Sequence, residues 1–164
     1  MKARQHLVLA VTAAFVLAGC GAFENDLGPR DINRDGAESA LSELRISVPE
    51  GARFIAGIES PPGFVGSSSY YIRFGTPGST PTTVAALNTA NGFGDIHRIA
   101  CPSPLLTNES LQKIGLQCDG VRGVSVIRTD NEPAEQTLTP GREAIAVVNE
   151  GSSATQLFVI AEGT

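Results

Sequence analysis

Residues 144–148 (Ala-Ile-Ala-Val-Val) and 157–161 (Leu-Phe-Val-Ile-Ala) are unbroken apolar runs, separated by a polar stretch that includes Asn149, Gly151 and Ser152. A strand that packs one face and wets the other alternates apolar with polar residues. Runs this short and continuous therefore belong to strands covered on both sides. A third segment, residues 121–128, is also rich in Val and Ile, and Pro, Gly, Asn and Ser punctuate the gaps. The spacing predicts an antiparallel meander over 121–128, 142–149 and 155–162.

The clearest cover for that sheet is a helix over 81–91. Ser79 or Thr80 caps its start, Pro81 occupies the first turn, Val84 and Leu87 share one face, and Asn91-Gly92 closes it. Shorter strands are predicted at 45–48, 53–58, 70–74 and 96–101, a short helix at 37–44, and a helical turn beginning near Asn108. In the third of those strands Tyr70, Ile72 and Phe74 alternate with Tyr71 and Arg73, which leaves one tyrosine and Arg73 on the outer side. The resulting expectation is an α+β fold: an antiparallel sheet with a C-terminal three-stranded meander and one main helix packed on a face, in two layers. An all-β sandwich is the alternative. Strands and helices do not alternate regularly enough for a parallel sheet, and no fixed period repeats.

The beginning of the chain obeys a different logic. Lys2 and Arg4 precede an uncharged, mostly apolar stretch, residues 7–17. As a helix that stretch spans roughly 16 Å, short of the ~30 Å hydrocarbon core of a bilayer, so it reads as an export signal. Its last residue opens the sequence Leu17-Ala18-Gly19-Cys20, which resembles the lipobox of bacterial lipoproteins. The resemblance implies a diacylglycerol thioether on Cys20 and cleavage immediately before it. Cys20 is followed by Gly21 and not by the Asp that some inner-membrane lipoproteins carry there.

With residues 20–39 read from their polar, Gly- and Pro-interrupted sequence as a flexible tether behind Cys20, and 40–164 as a single globular α+β domain, the resemblance adds a signal peptide at 1–19 and a lipid on that cysteine. It implies a protein held on the extracytoplasmic face of a cell membrane, with the lipid on Cys20 as its attached group and no other cofactor. Paired acyl chains hold a protein stably where one chain holds it marginally. With its polar tether and its Ala-, Gly- and Arg-leaning vocabulary, the chain resembles the small lipoproteins of high-GC bacteria, a likeness that implies no activity.

Charge narrows the partners. Of twelve Lys and Arg, Lys2 and Arg4 fall in the signal, whereas all seventeen Asp and Glu lie beyond it. The basic residues left are scattered singly, so neither nucleic acid nor a strongly anionic lipid surface is an expected partner. The absence of Trp and the presence of only two Tyr argue against an aromatic platform for sugars.

With Cys20 assigned to lipid, Cys101 and Cys118 remain as a pair in a compartment that permits oxidation, and a disulfide is expected. They lack the Cys-x-x-Cys spacing of a redox motif, and a metal site would need two further ligands nearby. Asp31-Ile32-Asn33-Arg34-Asp35-Gly36 resembles the front half of an EF-hand or dockerin-type calcium loop, which makes Asp31, Asn33 and Asp35 candidate ligands. Its second half departs from the pattern: Ser42 stands at the twelfth place, Glu43 comes one step late, and Glu38 is at the eighth. The plainer expectation is a polar linker, with Asp35 capping the short helix.

Once the signal and its His6 are removed, His97 is the single imidazole. No Gly-x-Ser-x-Gly elbow accompanies it. The expected function is a non-enzymatic binding or interaction module of the cell envelope, meeting an envelope protein or a small ligand through its sheet face or through the Gly/Pro/Ser-rich loop 60–69. The alternatives are a small envelope hydrolase using His97 and a calcium-binding tether at Asp31 to Asp35.

Overall fold

In a computed structural model of the chain, residues 28–63, 65–121, 123–130, 132–149 and 154–164 are described. The predicted signal, the lipobox with Cys20 and the first part of the tether lie outside the described residues. The two apolar runs lie side by side in an antiparallel sheet of seven strands. In chain order the elements are β1 (Arg30–Asp31), α1 (Arg34–Leu44), β2 (Arg53–Ser60), β3 (Ser69–Thr76), α2 (Thr80–Asn91), β4 (Ile96–Ile99), a 3-10 turn (Pro104–Leu106), α3 (Glu109–Lys113), β5 (Val124–Arg128), β6 (Arg142–Asn149) and β7 (Thr155–Glu162). Across the sheet the order is β1-β2-β3-β7-β6-β5-β4. The C-terminal meander β5-β6-β7 is present, and β7 also pairs with β3, Ile72 opposite Val159.

Strand alternation sends successive residues of β6 and β7 to opposite faces. Ile145, Val147, Leu157, Val159 and Ala161 enter one core, where α1 contributes Ala37, Ala40 and Leu41 and α2 contributes Val84 and Leu87. Ala144, Ala146, Val148, Phe158 and Ile160 enter a second core on the other face, covered by Leu105, Leu106, Leu111, Ile114 and Leu116 from the connection between β4 and β5 and by Ala134 and Leu138 from the connection between β5 and β6. The fold is α+β as expected, with three layers instead of two. One continuous sheet, and not a sandwich of two, carries both cores.

The helix predicted from Ser79 to Gly92 is α2. Ser79 caps it through the Thr82 amide, and Gly92 ends it in the left-handed conformation (φ 61°), which costs glycine little. Two local expectations need correction. Residues 45–48 form no strand, although Ile46 and Val48 alternate correctly. Arg45 closes α1 with a positive φ of 56°, and the side chain of Asn91 bonds both the Ser47 amide (2.6 Å) and the Ser47 carbonyl (2.8 Å). One side-chain amide thus satisfies the groups that a neighbouring strand would otherwise take.

The second correction concerns the tether, whose expected end at residue 39 falls inside α1. The chain joins the sheet at Arg30 and enters the helix at Arg34. Ile32 is the cause: its amide bonds the Gly57 carbonyl at 2.9 Å, and its side chain lies where a Cβ on residue 57 would be, 2.7 Å from that position. The surrounding polar residues suggest a linker, but a single apolar side chain seated over a glycine draws the segment into the fold.

Candidate functional site

Beside β4, at one edge of the sheet, a cleft of about 550 Å³ is lined by Asp95, His97 and Arg98 on one side and by Arg128, Asp130 and residues 132–135 on the other. Its outer wall is built on Arg128. That side chain is 2% exposed and sits at the end of β5, where the sheet core and the connection to β6 meet. Nε and Nη2 grip Asp130 at 2.6 and 2.9 Å. Nη1 donates to the carbonyls of Pro133 (3.0 Å) and Gln136, and Nη2 also reaches the Thr137 carbonyl at 3.3 Å. All five guanidinium hydrogens are thereby used, so Arg128 shapes the wall and has no donor left for a ligand. The bonds from Arg128 hold the Asp130 carboxyl below its ordinary pKa in spite of burial.

His97 is exposed on β4, and its imidazole has no hydrogen-bond partner among the described residues. Neither a hydroxyl nor a thiol side chain is among the residues lining the cleft. The nucleophile, base and orienting acid of a hydrolytic triad are therefore not gathered at His97 among the described residues. What the cleft does offer is charge: exposed carboxylates at Asp95, Glu132 and Glu135 line it together with His97 and Arg98. Such a surface suits polar recognition.

Cys101 and Cys118 are joined in a disulfide, with Cα atoms 5.2 Å apart. The bond ties the residues just after β4 to those leading into β5, and so closes the connection that covers the second core. Asp31, Asn33 and Asp35 take up separate structural tasks. Asp31 pairs with Ile58 in the sheet, the Asn33 Oδ1 accepts from the Gly36 amide at 2.9 Å, and Asp35 stands in the first turn of α1. An EF-hand-type loop needs open coil through most of its twelve positions, whereas here the helix begins at the fourth. Among the described residues no group of three or more His, Cys, Asp and Glu is placed to hold a metal ion.

The tyrosine pair also departs from expectation, because both members are buried. The Tyr70 hydroxyl donates to Glu43 at 3.1 Å. That of Tyr71 donates to Glu162 at 2.7 Å and accepts from the Asn108 amide at 3.0 Å. Burial, reinforced by Glu162, pushes the Tyr71 phenol well above its ordinary pKa. Arg73 bonds Gln156 at 3.1 Å and the Ile114 carbonyl at 3.1 Å, with its guanidinium 5.6 Å from the centre of the Phe158 ring. None of these three side chains is offered to a partner. The sheet faces are covered as well, and of the two surfaces expected to meet a partner only the loop 60–69 stays open, with Val65 89% exposed.

The Arg128–Asp130 wall is the part of the site that sequence reasoning missed. Arg-x-Asp is not a motif, and the only available signal was an arginine at the end of a predicted buried strand. No family model, curated protein or solved structure matches the chain.

Proposed function

We propose that this protein is a lipid-anchored extracytoplasmic lipoprotein whose folded domain is a non-enzymatic binding or interaction module of the cell envelope. The observation that carries the reading is Leu17-Ala18-Gly19-Cys20, set behind a charged and then apolar leader. The Cys101–Cys118 disulfide supports it, because such bonds persist in oxidising compartments. The polar cleft beside β4 supports the binding role: its lining sets an imidazole among several carboxylates, a surface suited to holding a polar ligand.

The test is incorporation of radiolabelled palmitate in a bacterial host that carries the lipoprotein pathway, followed by mass spectrometry of the N-terminal peptide. The wild-type chain is expected to take label and to begin at a diacylglyceryl-modified Cys20, and Cys20→Ala to take none. Label in the variant, or an unmodified Cys20 in the wild type, would end the proposal.

A further inference from the structure

We infer that Asn91-Gly92 is a site of spontaneous deamidation that the fold holds in check, and that its modification unfastens residues 45–48 from the end of α2. Asn91 is the only asparagine in the sequence that a glycine follows. Glycine puts no Cβ beside its own backbone nitrogen, so in an open chain that nitrogen, once deprotonated, reaches the neighbouring amide carbon with little hindrance. A bond forms from the Gly92 nitrogen to Asn91 Cγ and the Cγ–Nδ2 bond breaks. The proton given up by the glycine nitrogen passes by way of water to the departing group, which leaves as ammonia. Water then opens the succinimide ring at either carbonyl, leaving aspartate or isoaspartate. The net change is uptake of one water and loss of one ammonia, with no oxidation or reduction.

In the folded protein both reacting groups are engaged. The Gly92 N–H donates to the Asn88 carbonyl at 2.9 Å. Asn91 Oδ1 accepts from the Ser47 amide at 2.6 Å, and Nδ2 donates to the carbonyls of Ser47 and Leu87 at 2.8 and 2.9 Å. This pattern fixes which end of the amide is which, because the reverse assignment would set donor against donor and acceptor against acceptor. Ring closure needs the side chain to leave these partners and the glycine nitrogen to leave its own. The reaction therefore proceeds from a locally opened state, in which the end of α2 and residues 45–48 have parted. Asn91 is half-buried and Ser47 exposed, so solvent water is at hand once they part.

The product cannot be refastened in the same way. A carboxylate has no hydrogen to donate, so an oxygen would stand where Nδ2 now meets two carbonyls. A negative charge at a helix C-terminus also opposes the helix dipole, and the last turn of α2 holds no basic residue. Arg45, on the facing segment, is exposed and offers the new charge a solvent-screened partner worth little. The segment set loose carries Ile46, 5% exposed, and Val48, both packed into the core that α1 and α2 cover.

The test uses the full chain with its disulfide intact, incubated in water enriched in heavy oxygen, either in buffer or in enough guanidinium chloride to unfold it. Trypsin releases residues 74–98 as one peptide, in which Asn88, followed by threonine, serves as an internal control. In denaturant Asn91 is expected to gain the mass of an amide turned acid together with one heavy oxygen, well ahead of Asn88. In buffer its rate is expected to be at least about tenfold lower, as gating by local opening requires. Ile46→Val leaves the Asn-Gly pair intact, and is expected to raise the buffer rate about threefold, the effect of one lost buried methyl on a local opening, without changing the rate in denaturant. Asn91→Asp, which makes one product directly, is expected to speed hydrogen exchange at the Ser47 amide at least about tenfold while the amides of β6 and β7 stay protected.

An Asn91 that stays unmodified in the unfolded chain would remove the site. Equal rates in buffer and denaturant, or a buffer rate indifferent to Ile46→Val, would overturn its protection by the fold; neither comparison requires Asn91→Asp to fold. Unchanged exchange at Ser47 in Asn91→Asp would overturn the unfastening, and an Asn91→Asp chain that fails to fold at all would overturn its confinement to residues 45–48.

Discussion

Arg128 shows how one side chain can hold a loop that has no secondary structure of its own. A buried cation costs several kcal/mol unless it is paired and fully hydrogen-bonded, and here Asp130 and three carbonyls meet that requirement. Arg128→Ala would leave Asp130 buried without its partner and three carbonyls without a donor. A loss of about 3–5 kcal/mol is expected, from the cost of breaking a buried pair, measured as a shift of the urea unfolding midpoint. A loss below about 1 kcal/mol, the value of an exposed pair, would show that the wall stands without it.

Three residues set limits in pH. Asp130 and Glu59 both titrate below their ordinary values. Hydrogen bonds from Arg128 lower Asp130; burial raises Glu59, but bonds from Arg30 and Ser68 outweigh it. Their contribution is complete above the ordinary carboxylate range near pH 4 and is lost as pH falls through the depressed folded values. Tyr71 has the opposite sign. Its folded pKa is raised, so its contribution is present below about pH 10, the ordinary phenol value, and disappears as pH rises through the folded one. Urea midpoints measured across pH should therefore fall on both flanks. Tyr71→Phe should flatten the alkaline flank, leave the acid flank unchanged, and cost about 1–2 kcal/mol at neutrality for the lost hydroxyl bonds.

Among elements, the legible ones were those whose signal is local. β6 and β7 followed from continuous apolar runs, and α2 from a cap, a proline and a terminal glycine. The strand expected at 45–48 failed because its pairing needs were met by Asn91, 44 positions away in sequence. β1 was illegible because its reason for forming is Ile32 against Gly57, a contact across the fold. Gly57→Ala tests that contact. The added Cβ would stand 2.7 Å from Ile32 Cγ1, and displacing Ile32 is expected to cost about 1–3 kcal/mol, as overpacking does. The specific sign is faster hydrogen exchange at the Ile32 amide while the amides of β6 and β7 stay protected.

The disulfide belongs to the same scale. It closes a stretch of 17 positions that has little regular structure and yet covers the second core with Leu105, Leu106, Leu111, Ile114 and Leu116. Replacing both cysteines by serine is expected to cost about 3 kcal/mol in the chain-entropy view, seen as a lower urea midpoint. The exchange protection lost first should be that of α3 and not that of α2. The cysteine pair itself was legible by elimination. The cleft was not, since β4 and the loop after β5 meet only through long-range pairing.

At the scale of the whole molecule, the expectation of strands covered on both faces held, whereas the expected two layers became three. A second cover could be recognised only once the connection between β4 and β5 was seen to fold back over the sheet. The sheet also has a seam. β1, β2 and β3 form one ribbon, β4, β5 and β6 another, and among the described residues β7 is the only strand that bonds to both. Until residues 155–162 emerge from the ribosome, the two ribbons share no backbone ladder, and each exposes an apolar surface that only the missing strand can close. The sheet can thus be completed only when its last-made strand arrives, and an apolar surface on each ribbon has to stay out of other contacts until then.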